Sequence, residues 1–429
     1  MINIFSKNLF IPILNLLANI SIILPFAIYF EIYSQNGKGY YYLIPLLLIY
    51  CLRGSGVFLG PILKKTNQQL LILSIVFEIL GYIISCFYIT SPMFLVLGGI
   101  FLGIASSWGW PYFLSIRELP YFKIKKNDWI KSGLLLVIIL LTFWISYNTK
   151  IYCFIFILLS FLYLSVLIPL SHTLNTNKNL ISVTVSTSTK LFTQLFLFLL
   201  LLSLLFIERY ARAIYIESSV IVALLLVSII IFLVLRHLYK EKINTPYMIP
   251  ASVRGFIMSF VLFYTPFYSL SYLGQKQIFL IYCLYLLGFE IGSIFFKIIG
   301  SYLYYICIFG LLLTLNSFSF LIGIFICSVF LGLQNNRINT IYGKIYMQDS
   351  NIFIKKYQFS SIGSFFFQFT YMLMIGFLSI YNNQEILNFF VPANGTKTLK
   401  TQENIVHFIL IGISLICILK ARKEDHKYD

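Results

Sequence analysis

Residues 53–69 read Arg-Gly-Ser-Gly-Val-Phe-Leu-Gly-Pro-Ile-Leu-Lys-Lys-Thr-Asn-Gln-Gln, and this stretch indicates how the rest of the chain is organised. An apolar run closes with Gly56 and Gly60, and Lys64 and Lys65 follow where hydrocarbon would give way to water. The same internal spacing returns later in the chain as Gly288, Gly292 and Lys297. The recurrence predicts two similar halves, each with a closely packed helix pair and a charged turn.

The composition excludes a water-soluble globular protein. Hydrophobic residues make up 59% of the 429 residues and charged residues only 10%, which leaves more apolar surface than a soluble core can hide. The net charge of +17 would suit a nucleic acid, but the basic residues stand in short clusters between apolar runs, as in the cytoplasmic loops of membrane proteins. We therefore expect a protein surrounded by membrane lipids, with no nucleic acid as a partner.

Apolar runs long enough to cross a bilayer recur along the whole sequence. A helix needs about 20 apolar residues to cross about 30 Å of hydrocarbon, and helices satisfy their own backbone hydrogen bonds there. The runs predict about fourteen spans, at 9–30, 41–63, 70–88, 93–108, 129–147, 151–170, 191–207, 219–235, 255–273, 278–296, 302–315, 318–333, 359–381 and 405–419. A polar stretch at 171–190 reads as a linker, and 236–254 is a basic segment.

These spans predict an all-α integral membrane fold. Two pseudo-symmetric six-helix bundles would occupy residues 1–172 and 251–429, and residues 173–250 would form a linker and an inserted helix pair. Two shorter recurrences support the repeat, because Phe101-Leu102-Gly103 returns as Phe330-Leu331-Gly332 and Ile124-Lys125-Lys126 returns as Ile354-Lys355-Lys356.

The basic clusters predict the orientation in the membrane, because Lys and Arg concentrate in cytoplasmic loops. With the amino terminus inside, the basic turns and the tail all face the cytoplasm, namely Lys64 and Lys65, Lys123, Lys125 and Lys126, Lys240 and Lys242, Lys355 and Lys356, and the tail residues Lys420, Arg422, Lys423 and Lys427. We expect both termini in the cytoplasm. The richness in Lys, Asn, Ile and Phe further suggests an AT-rich bacterial gene and hence the bacterial cell membrane.

The turn at 60–69 resembles the loop after the second helix in the major facilitator superfamily, which reads Gly-x-Leu-Ala-Asp-Arg-x-Gly-Arg-Arg. Gly60 and Lys65 match this pattern, whereas Lys64 replaces its Asp, Asn67 its second Gly, and Gln68 and Gln69 its closing arginines. The fourteen-helix variety of that family carries two extra helices between its bundles, as predicted here. The resemblance implies a secondary transporter whose bundles rock about a central site.

Two signatures of proton-coupled drug exporters are missing. Gly99 stands where those exporters carry an arginine four residues before the glycine of the fourth span, and the fifth span contains no Gly-Pro pair. These absences argue against multidrug export but leave the fold prediction unchanged. We expect an ion-coupled exporter of a small organic solute, because fourteen-helix members are often exporters, with protons as the candidate coupling ion and the monomer as the working unit.

Ionisable side chains inside the predicted spans are the candidate site residues, because a charge at the bilayer centre costs about 2.5–3.5 kcal/mol on insertion scales. Glu78, Glu290 and Arg53 stand out. A glutamate facing a cavity could exchange a proton or hold a cationic substrate, and Arg53 could pair with it or attract an anion. The structural alternatives are helix–helix locking for the glutamates and a snorkelling side chain for Arg53.

Further polar residues are weaker candidates. Asn15 and Asn19 share one face of the first span, where they could line a cavity or hold helices together. Arg337 follows the twelfth predicted span and could contact an anionic substrate, although a solvated helix end is the favoured interpretation. Trp108 and Trp110 read as an interfacial aromatic belt at the end of the fourth span.

The sequence predicts neither an enzyme nor a cofactor. All seven cysteines lie in apolar runs without a close pair, the four histidines form no metal or catalytic pattern, and no phosphate-binding Gly-Lys-Ser/Thr loop occurs. A flippase or polymerase for lipid-linked saccharides stays open as the alternative, although the loop at 382–404 holds few of the charged groups that a polymerase would need. A transporter-like scaffold that carries no solute is a third possibility.

Overall fold

The computed structural model describes residues 10–21, 24–36, 40–117, 126–176, 191–210, 248–272, 276–345, 352–382 and 397–425. These residues are helical almost throughout, and no strand occurs among them. Ten helical stretches in this part of the chain are long and apolar enough to cross a membrane, and the pair Phe10–Ile20 and Leu24–Gln35 adds an eleventh if it forms one span. The predicted all-α integral membrane fold is confirmed.

The chain divides into two compact units. Unit 1 comprises Met1–Ser203 and Ile345–Lys355, and unit 2 comprises Leu204–Lys344 and Lys356–Asp429. In chain order the helices are α1 (Phe10–Ile20), α2 (Leu24–Gln35), α3 (Tyr40–Ser55), α4 (Asn67–Cys86), α5 (Met93–Arg117), α6 (Lys126–Thr149), α7 (Cys153–Thr176), α8 (Leu191–Tyr210), α9 (Met248–Ser259), α10 (Thr265–Tyr272), α11 (Lys276–Ile299), α12 (Leu303–Leu313), α13 (Phe320–Ile345), α14 (Ile352–Asn382) and α15 (Lys397–Asp425). A π-helical turn, Phe260–Tyr264, joins α9 to α10. The predicted span 219–235, the second helix of the inserted pair, lies outside the described residues.

Glycines hold α3 against α5 in unit 1. Gly103 on α5 approaches Ile49, and Gly56 approaches Ser107 further along both helices. The two contacts advance together along the chain, so α3 and α5 run parallel. Helix α4 joins them through short turns and returns in the opposite direction. A side chain at either glycine would push these helices apart, because the neighbouring backbone and Cβ atoms already lie at van der Waals contact.

Unit 2 contains the same arrangement. Gly288 on α11 lies against Phe325, and Gly292 lies against Val329, so α11 and α13 also run parallel. This group repeats the order of α3, α4 and α5, with two parallel helices and a returning helix between them in sequence. The repeat predicted from the glycine spacing therefore corresponds to a repeated helix arrangement.

The chain reverses between α11 and α12. By length and composition Gln277–Leu313 counts as one stretch of 37 residues. The contacts separate it into two helices, because Gly310 lies against Cys327 while Thr314 lies against Gly323, which makes α12 antiparallel to α13. The reversal occurs at the 3-10 turn Gly300–Tyr302. The two spans predicted at 278–296 and 302–315 are thus distinct elements.

The repeated glycines pack in different registers in the two units. Gly103 contacts α3 at Ile49, a position that precedes Gly56 in the sequence. Its counterpart Gly332 contacts α11 at Phe289, a position that follows Gly288. The turns differ as well. The first copy leaves the helix through the 3-10 turn Gly60–Leu63 and a left-handed Lys64 with φ of 52°. The second copy stays helical to Ile299, so Lys297 lies in the last turn of α11 rather than in a loop.

Several helices are longer than the apolar runs predicted. Helix α5 continues to Arg117 instead of residue 108, α13 continues to Ile345 instead of 333, α9 begins at Met248 instead of 255, and α14 begins at Ile352 instead of 359. The predicted linker at 171–190 is also wrong in its first part, because α7 continues to Thr176. In the extensions of α5, α9 and α14 most polar residues are buried or partly buried, so a loss of hydrophobicity does not end the helix there. The ends of α7 and α13 also carry exposed polar residues, His172 and Lys344.

Candidate functional site

The predicted interfacial belt at the end of the fourth span is wrong. Trp108 and Trp110 lie within α5, only 1% and 2% exposed. The indole Nε1 of Trp108 donates a hydrogen bond to the carbonyl oxygen of Gly56 at 2.8 Å, and its ring stacks on Phe77 with 5.9 Å between centroids. Gly56 permits this approach because it has no side chain, so in unit 1 the repeated glycine helps α3 and α5 to pack.

The turn after α3 exposes two of its basic side chains. Lys64 and Lys65 are exposed, and Arg53 lies partly buried in the last turn of α3. Helix α4 then begins with a capping box, because the Thr66 hydroxyl accepts from the Gln69 amide at 3.3 Å and the Gln69 side chain accepts from the Thr66 amide at 3.1 Å. Gln69 thus has a structural role at a position where the resembled family carries an arginine.

Glu78 is a buried carboxyl group in the middle of α4. Its residue is 1% exposed, and neither carboxyl oxygen forms a hydrogen bond within the described part of the chain. Tyr82, one turn along α4, interacts with it electrostatically and stacks on Tyr163 of α7 with 6.0 Å between centroids. Helices α4 and α7 therefore enclose the carboxyl group with aromatic rings, which gives a low-dielectric surrounding.

Asn15 and Asn19 lie buried on α1 in the same unit. Their side-chain oxygens have no hydrogen-bond donor among the described residues. Tyr163 connects this helix to the Glu78 region, because its hydroxyl donates to the carbonyl oxygen of Leu17 at 3.1 Å and interacts electrostatically with Glu78. The structure thus brings three sequence-predicted residues into unit 1, and the side-chain oxygens of Asn15 and Asn19 have no donor within the described ranges.

Glu31 is a buried carboxylate that the sequence prediction missed. The predicted first span ended at residue 30, whereas α2 continues to Gln35 and buries Glu31 completely. The Ser34 hydroxyl lies 3.3 Å from its Oε2. The signal available in the sequence was the apolar pair that follows at Ile32 and Tyr33, which keeps the helical pattern going past the charge.

Glu290 and Arg337 belong to unit 2 and are not brought together. Glu290 lies on α11, partly buried, between the two glycines that pack against α13. Arg337 was expected to follow the end of a helix. It instead lies within α13. Its Nε lies 2.7 Å from Oδ2 of Asp425 on α15, so the two residues form an ion pair in which Asp425 is buried and Arg337 stays partly exposed.

A second group of polar residues lies at the beginning of α9 and α14, in a region where the sequence predicted a basic segment and a cytoplasmic loop. Arg254 is 1% exposed and Lys356 is 0% exposed. The Lys356 ammonium donates to Oδ1 of Asn335 at 2.7 Å and of Asn339 at 2.5 Å, both on α13. The expectation that Lys356 faces the cytoplasm from a loop is therefore wrong, because amide oxygens on a neighbouring helix solvate its charge.

Close packing fixes the position of this group. A side chain at Gly255 would collide with the carbonyl oxygen of Ser360, and one at Gly363 would collide with that of Ser252. Helices α9 and α14 therefore meet backbone to backbone beside Arg254. The guanidinium of Arg254 lies 3.4 Å from the Ser360 hydroxyl.

Aromatic rings surround His407 at another place in unit 2. Tyr268 stacks on the imidazole with 4.5 Å between centroids, Tyr264 stacks at 5.5 Å, and Nε2 contacts the carbonyl oxygen of Thr314 at 3.0 Å. Tyr264 ends the π-helical turn Phe260–Tyr264, and Tyr268 lies on α10. A small cavity beside them is lined by Tyr264, Tyr268, Tyr371, Ile375, Glu403 and Val406. Sequence reasoning had found no role for His407, which lies buried within α15.

Comparison with known proteins gives a fold but no close relative. No family model matches the sequence, and no curated protein matches it. The chain is similar to a solved proton dependent oligopeptide transporter at 12% identity, with a TM-score of 0.52 and coverage of 98% of both chains. It is also similar to a bacterial homologue of the human drug peptide transporters PepT1 and PepT2 at 12% identity, with a TM-score of 0.55 and coverage of 98% of this chain and 97% of that one.

A third structure, the major facilitator superfamily proton:xylose symporter XylE, overlaps less closely, with a TM-score of 0.48 at 13% identity over 95% of this chain and 94% of that one. At such identities a likeness speaks for the fold alone, and the two oligopeptide-type structures extend it over almost the whole chain. The resemblance inferred from the turn at 60–69 is thus confirmed at the level of the fold. The chain shares the fold of these two solved transporter structures.

Proposed function

We propose that the chain is a secondary transporter that moves a small organic solute across the membrane by alternating access. The observation that carries this proposal is a transporter fold that extends over 98% of the chain. In such folds the solute binds near the bilayer midplane, and the two repeats move against each other around it. Buried ionisable residues such as Glu78 and Arg254 fit this function, because a charge kept inside a membrane protein usually has a functional reason.

The coupling ion in this proposal is the proton, and Glu78 is the residue that exchanges it. Its carboxyl group is buried beside the Tyr82 hydroxyl, and burial disfavours its charged form, so a proton or a solute cation would stabilise it. Export is the direction that the fourteen-helix resemblance favours. We place the protein in the bacterial cell membrane as a monomer, with both termini in the cytoplasm.

Short peptides are the first solutes to test. Both structures with the higher overlap belong to proteins described as oligopeptide or drug peptide transporters, and a peptide carries an ammonium and a carboxylate group. Glu78 in unit 1 could bind the former. The comparisons do not support the alternative of a flippase or polymerase for lipid-linked saccharides.

The test uses purified protein in liposomes on a solid-supported membrane. Concentration jumps of dialanine, trialanine, succinate and xylose are applied, and charge movement is recorded with and without a pH gradient. The proposal expects a transient current for at least one of these solutes that empty liposomes lack and that a pH gradient changes. A current that ignores the pH gradient contradicts proton coupling, and no current for any solute contradicts transport of these classes.

The sidedness of transport is measured in the same preparation. Liposomes preloaded with the active solute are diluted into solute-free buffer at inward and outward pH gradients. Export coupled to proton entry predicts that the liposomes lose solute faster under an inward proton gradient than under an outward one. Equal loss under both gradients contradicts that direction.

A further inference from the structure

Two cysteines that lie 67 residues apart in the sequence meet in unit 1. Cys86 is the last residue of α4, and Cys153 is the first residue of α7. The Cys153 thiol donates to the carbonyl oxygen of Cys86 with 2.9 Å between sulfur and oxygen, and the Cys86 thiol lies 4.0 Å from the carbonyl oxygen of Cys153. The two thiols are also in hydrogen-bond contact with each other. We call these two residues the cysteine pair.

Tyr88 joins the backbone segments on both sides of the cysteine pair. It lies in the 3-10 turn Phe87–Ile89, directly after α4. Its hydroxyl donates to the carbonyl oxygen of Lys150 at 3.2 Å and accepts from the backbone amide of Tyr152 at 3.2 Å. Lys150 has the left-handed backbone conformation, with φ of 60°, and turns the chain from α6 into α7. The end of α4 and the beginning of α7 are thus held together without any help from the thiols.

Aromatic contacts continue this attachment into the two helices. The ring of Phe156 on α7 lies 6.1 Å from that of Tyr82 on α4 and 6.4 Å from that of Tyr88, measured between centroids. Tyr82 also stacks on Tyr163 of α7. The cysteine pair therefore lies at the end of a packed interface. Because the sulfur atoms are already in contact, a bond between them requires rotation of the side chains rather than movement of the helices.

The cysteine pair can be reached from water. Both of its residues are partly exposed, and the exposed polar residues Thr90 and Lys150 lie near it. A second pair of contacting thiols, Cys307 on α12 and Cys327 on α13, is different, because both residues are 0% exposed. Thiol–disulfide exchange requires that the oxidant reach the sulfur. Of these two pairs, the first is therefore the one that a water-soluble oxidant can attack.

We propose that Cys86 and Cys153 are a modification site at which a disulfide joins the end of α4 to the beginning of α7. The orientation predicted from the basic residues places this end outside, because Lys65, before the other end of α4, faces the cytoplasm. Disulfides form and persist outside the cytoplasm. The compartment thus rests on the orientation given under the proposed function, whereas the capacity to form the bond does not.

The oxidant in this reaction is an organic disulfide, carried by a small molecule or by a protein. One thiolate of the cysteine pair attacks the oxidant, and one thiol of the oxidant leaves. The other thiolate then attacks the sulfur of the first cysteine, and the second thiol of the oxidant leaves. Two electrons and two protons pass from the cysteine pair to the oxidant in total. Both cysteines belong to unit 1, so the new bond stabilises that unit and does not link it to unit 2.

The first experiment treats the purified full-length protein with oxidised glutathione. Remaining thiols are blocked with N-ethylmaleimide, and the protein is digested without reduction and analysed by mass spectrometry. We expect a linked peptide that contains Cys86 and Cys153 and has two hydrogen atoms fewer than its separate halves, while Cys307 and Cys327 stay reduced. Recovery of both residues of the cysteine pair as N-ethylmaleimide adducts, or as glutathione adducts without the link, overturns the proposal.

The second experiment compares variants by thermal unfolding before and after oxidation. Cys86→Ser and Cys153→Ser remove one thiol each, and Cys417→Ser is the matched control, because Cys417 is a partly exposed cysteine on α15 in unit 2. Oxidation should raise the unfolding midpoint of the original protein and of Cys417→Ser by several degrees and leave the other two variants unchanged. An equal shift in all four proteins overturns the stabilising role of the bond. If a variant of the pair fails to fold, the linked peptide of the original protein decides.

The third experiment tests the compartment in cells that produce the protein. The cells are treated with N-ethylmaleimide before lysis, so that no thiol is oxidised afterwards, and the linked peptide is measured in their membranes. We expect most of the protein to carry the bond. A pair that oxidises in the purified protein but is fully reduced in the cells overturns the natural modification. The side from which a cysteine in place of Thr90 reacts then shows whether the predicted orientation failed with it.

Discussion

Replacing Gly332 by alanine should destabilise unit 2, because this glycine is where α13 meets α11. A Cβ atom at position 332 would overlap the carbonyl oxygen of Phe289 and lie 3.0 Å from the amide nitrogen of Ser293. Both atoms belong to the backbone, so neither can turn away as a flexible side chain would. The two helices must separate along their contact to accept the methyl group.

The size of the effect follows from comparison with Gly412 on α15 in the same unit, where an added Cβ would meet no atom within 4 Å. Overpacking a tight contact costs about 1–3 kcal/mol. Replacing an uncrowded helical glycine by alanine instead stabilises the helix by roughly 0.5–1 kcal/mol. Gly332→Ala and Gly412→Ala should therefore differ in the free energy of unfolding by about 1.5–4 kcal/mol.

The assay is thermal unfolding of the two variants and the original protein in one detergent, followed by size-exclusion chromatography of the heated samples. Gly332→Ala should lower the unfolding midpoint by several degrees, and Gly412→Ala should leave it unchanged or raise it slightly. A valine at position 332 should lower it further, because its branched side chain needs more room. Equal midpoints for the two alanine variants would refute the contact between α11 and α13 and the packing role of the repeated glycines.

Three other substitutions test separate parts of the structure. Trp108→Phe should cost about 1 kcal/mol, because it removes the hydrogen bond to the Gly56 carbonyl and leaves that oxygen unsatisfied, and thermal unfolding of the variant measures this loss. Asp425→Asn should cost about 1 kcal/mol or less by the same method, because its partner Arg337 keeps a partly exposed side chain, and a loss several times larger would contradict that partial solvation. Glu78→Gln should abolish the response of solute currents to a pH gradient while exchange of solute between the two sides continues, and a fully preserved pH response would remove Glu78 from coupling.

The fold could be predicted from the sequence because the bilayer imposes strong constraints on composition. Long apolar runs identified most of the helices, and the recurring glycine spacing predicted a closely packed helix pair in each half. Which helices form these pairs, α3 with α5 and α11 with α13, follows only from the structure. The register of those pairs could not be predicted. Gly103 and Gly332 belong to the same three-residue motif but contact their partner helices at different positions along the helix. A repeated motif does not determine which turn of the neighbouring helix it packs against.

The helix ends were predicted less well, and the burial of Arg254 and Lys356 was missed for the same reason. Hydropathy places a helix end where polar residues begin, and so Arg254 and Lys356 were assigned to a basic segment and a loop. In the folded protein these residues are buried, and amide groups of α13 accept hydrogen bonds from Lys356. Such long-range partners, 21 and 17 residues away in the chain for Lys356, do not appear in a window of local composition. Glu31 was missed because the predicted span ended one residue too early.

The basic residues predict that the turn with Lys65 and the end of α11 with Lys297 both face the cytoplasm, as in a transporter built from parallel repeats. Single cysteines test it most directly, in a protein whose native cysteines are replaced. Lys65 and Thr90 are exposed positions at opposite ends of α4, and Lys297 and Ser317 flank α12 in the same way. Cysteines in place of Lys65 and Lys297 should react only with a reagent on the cytoplasmic side, and those in place of Thr90 and Ser317 only with one outside. Labelling of Lys65→Cys and Lys297→Cys from opposite sides would contradict the two-unit transporter.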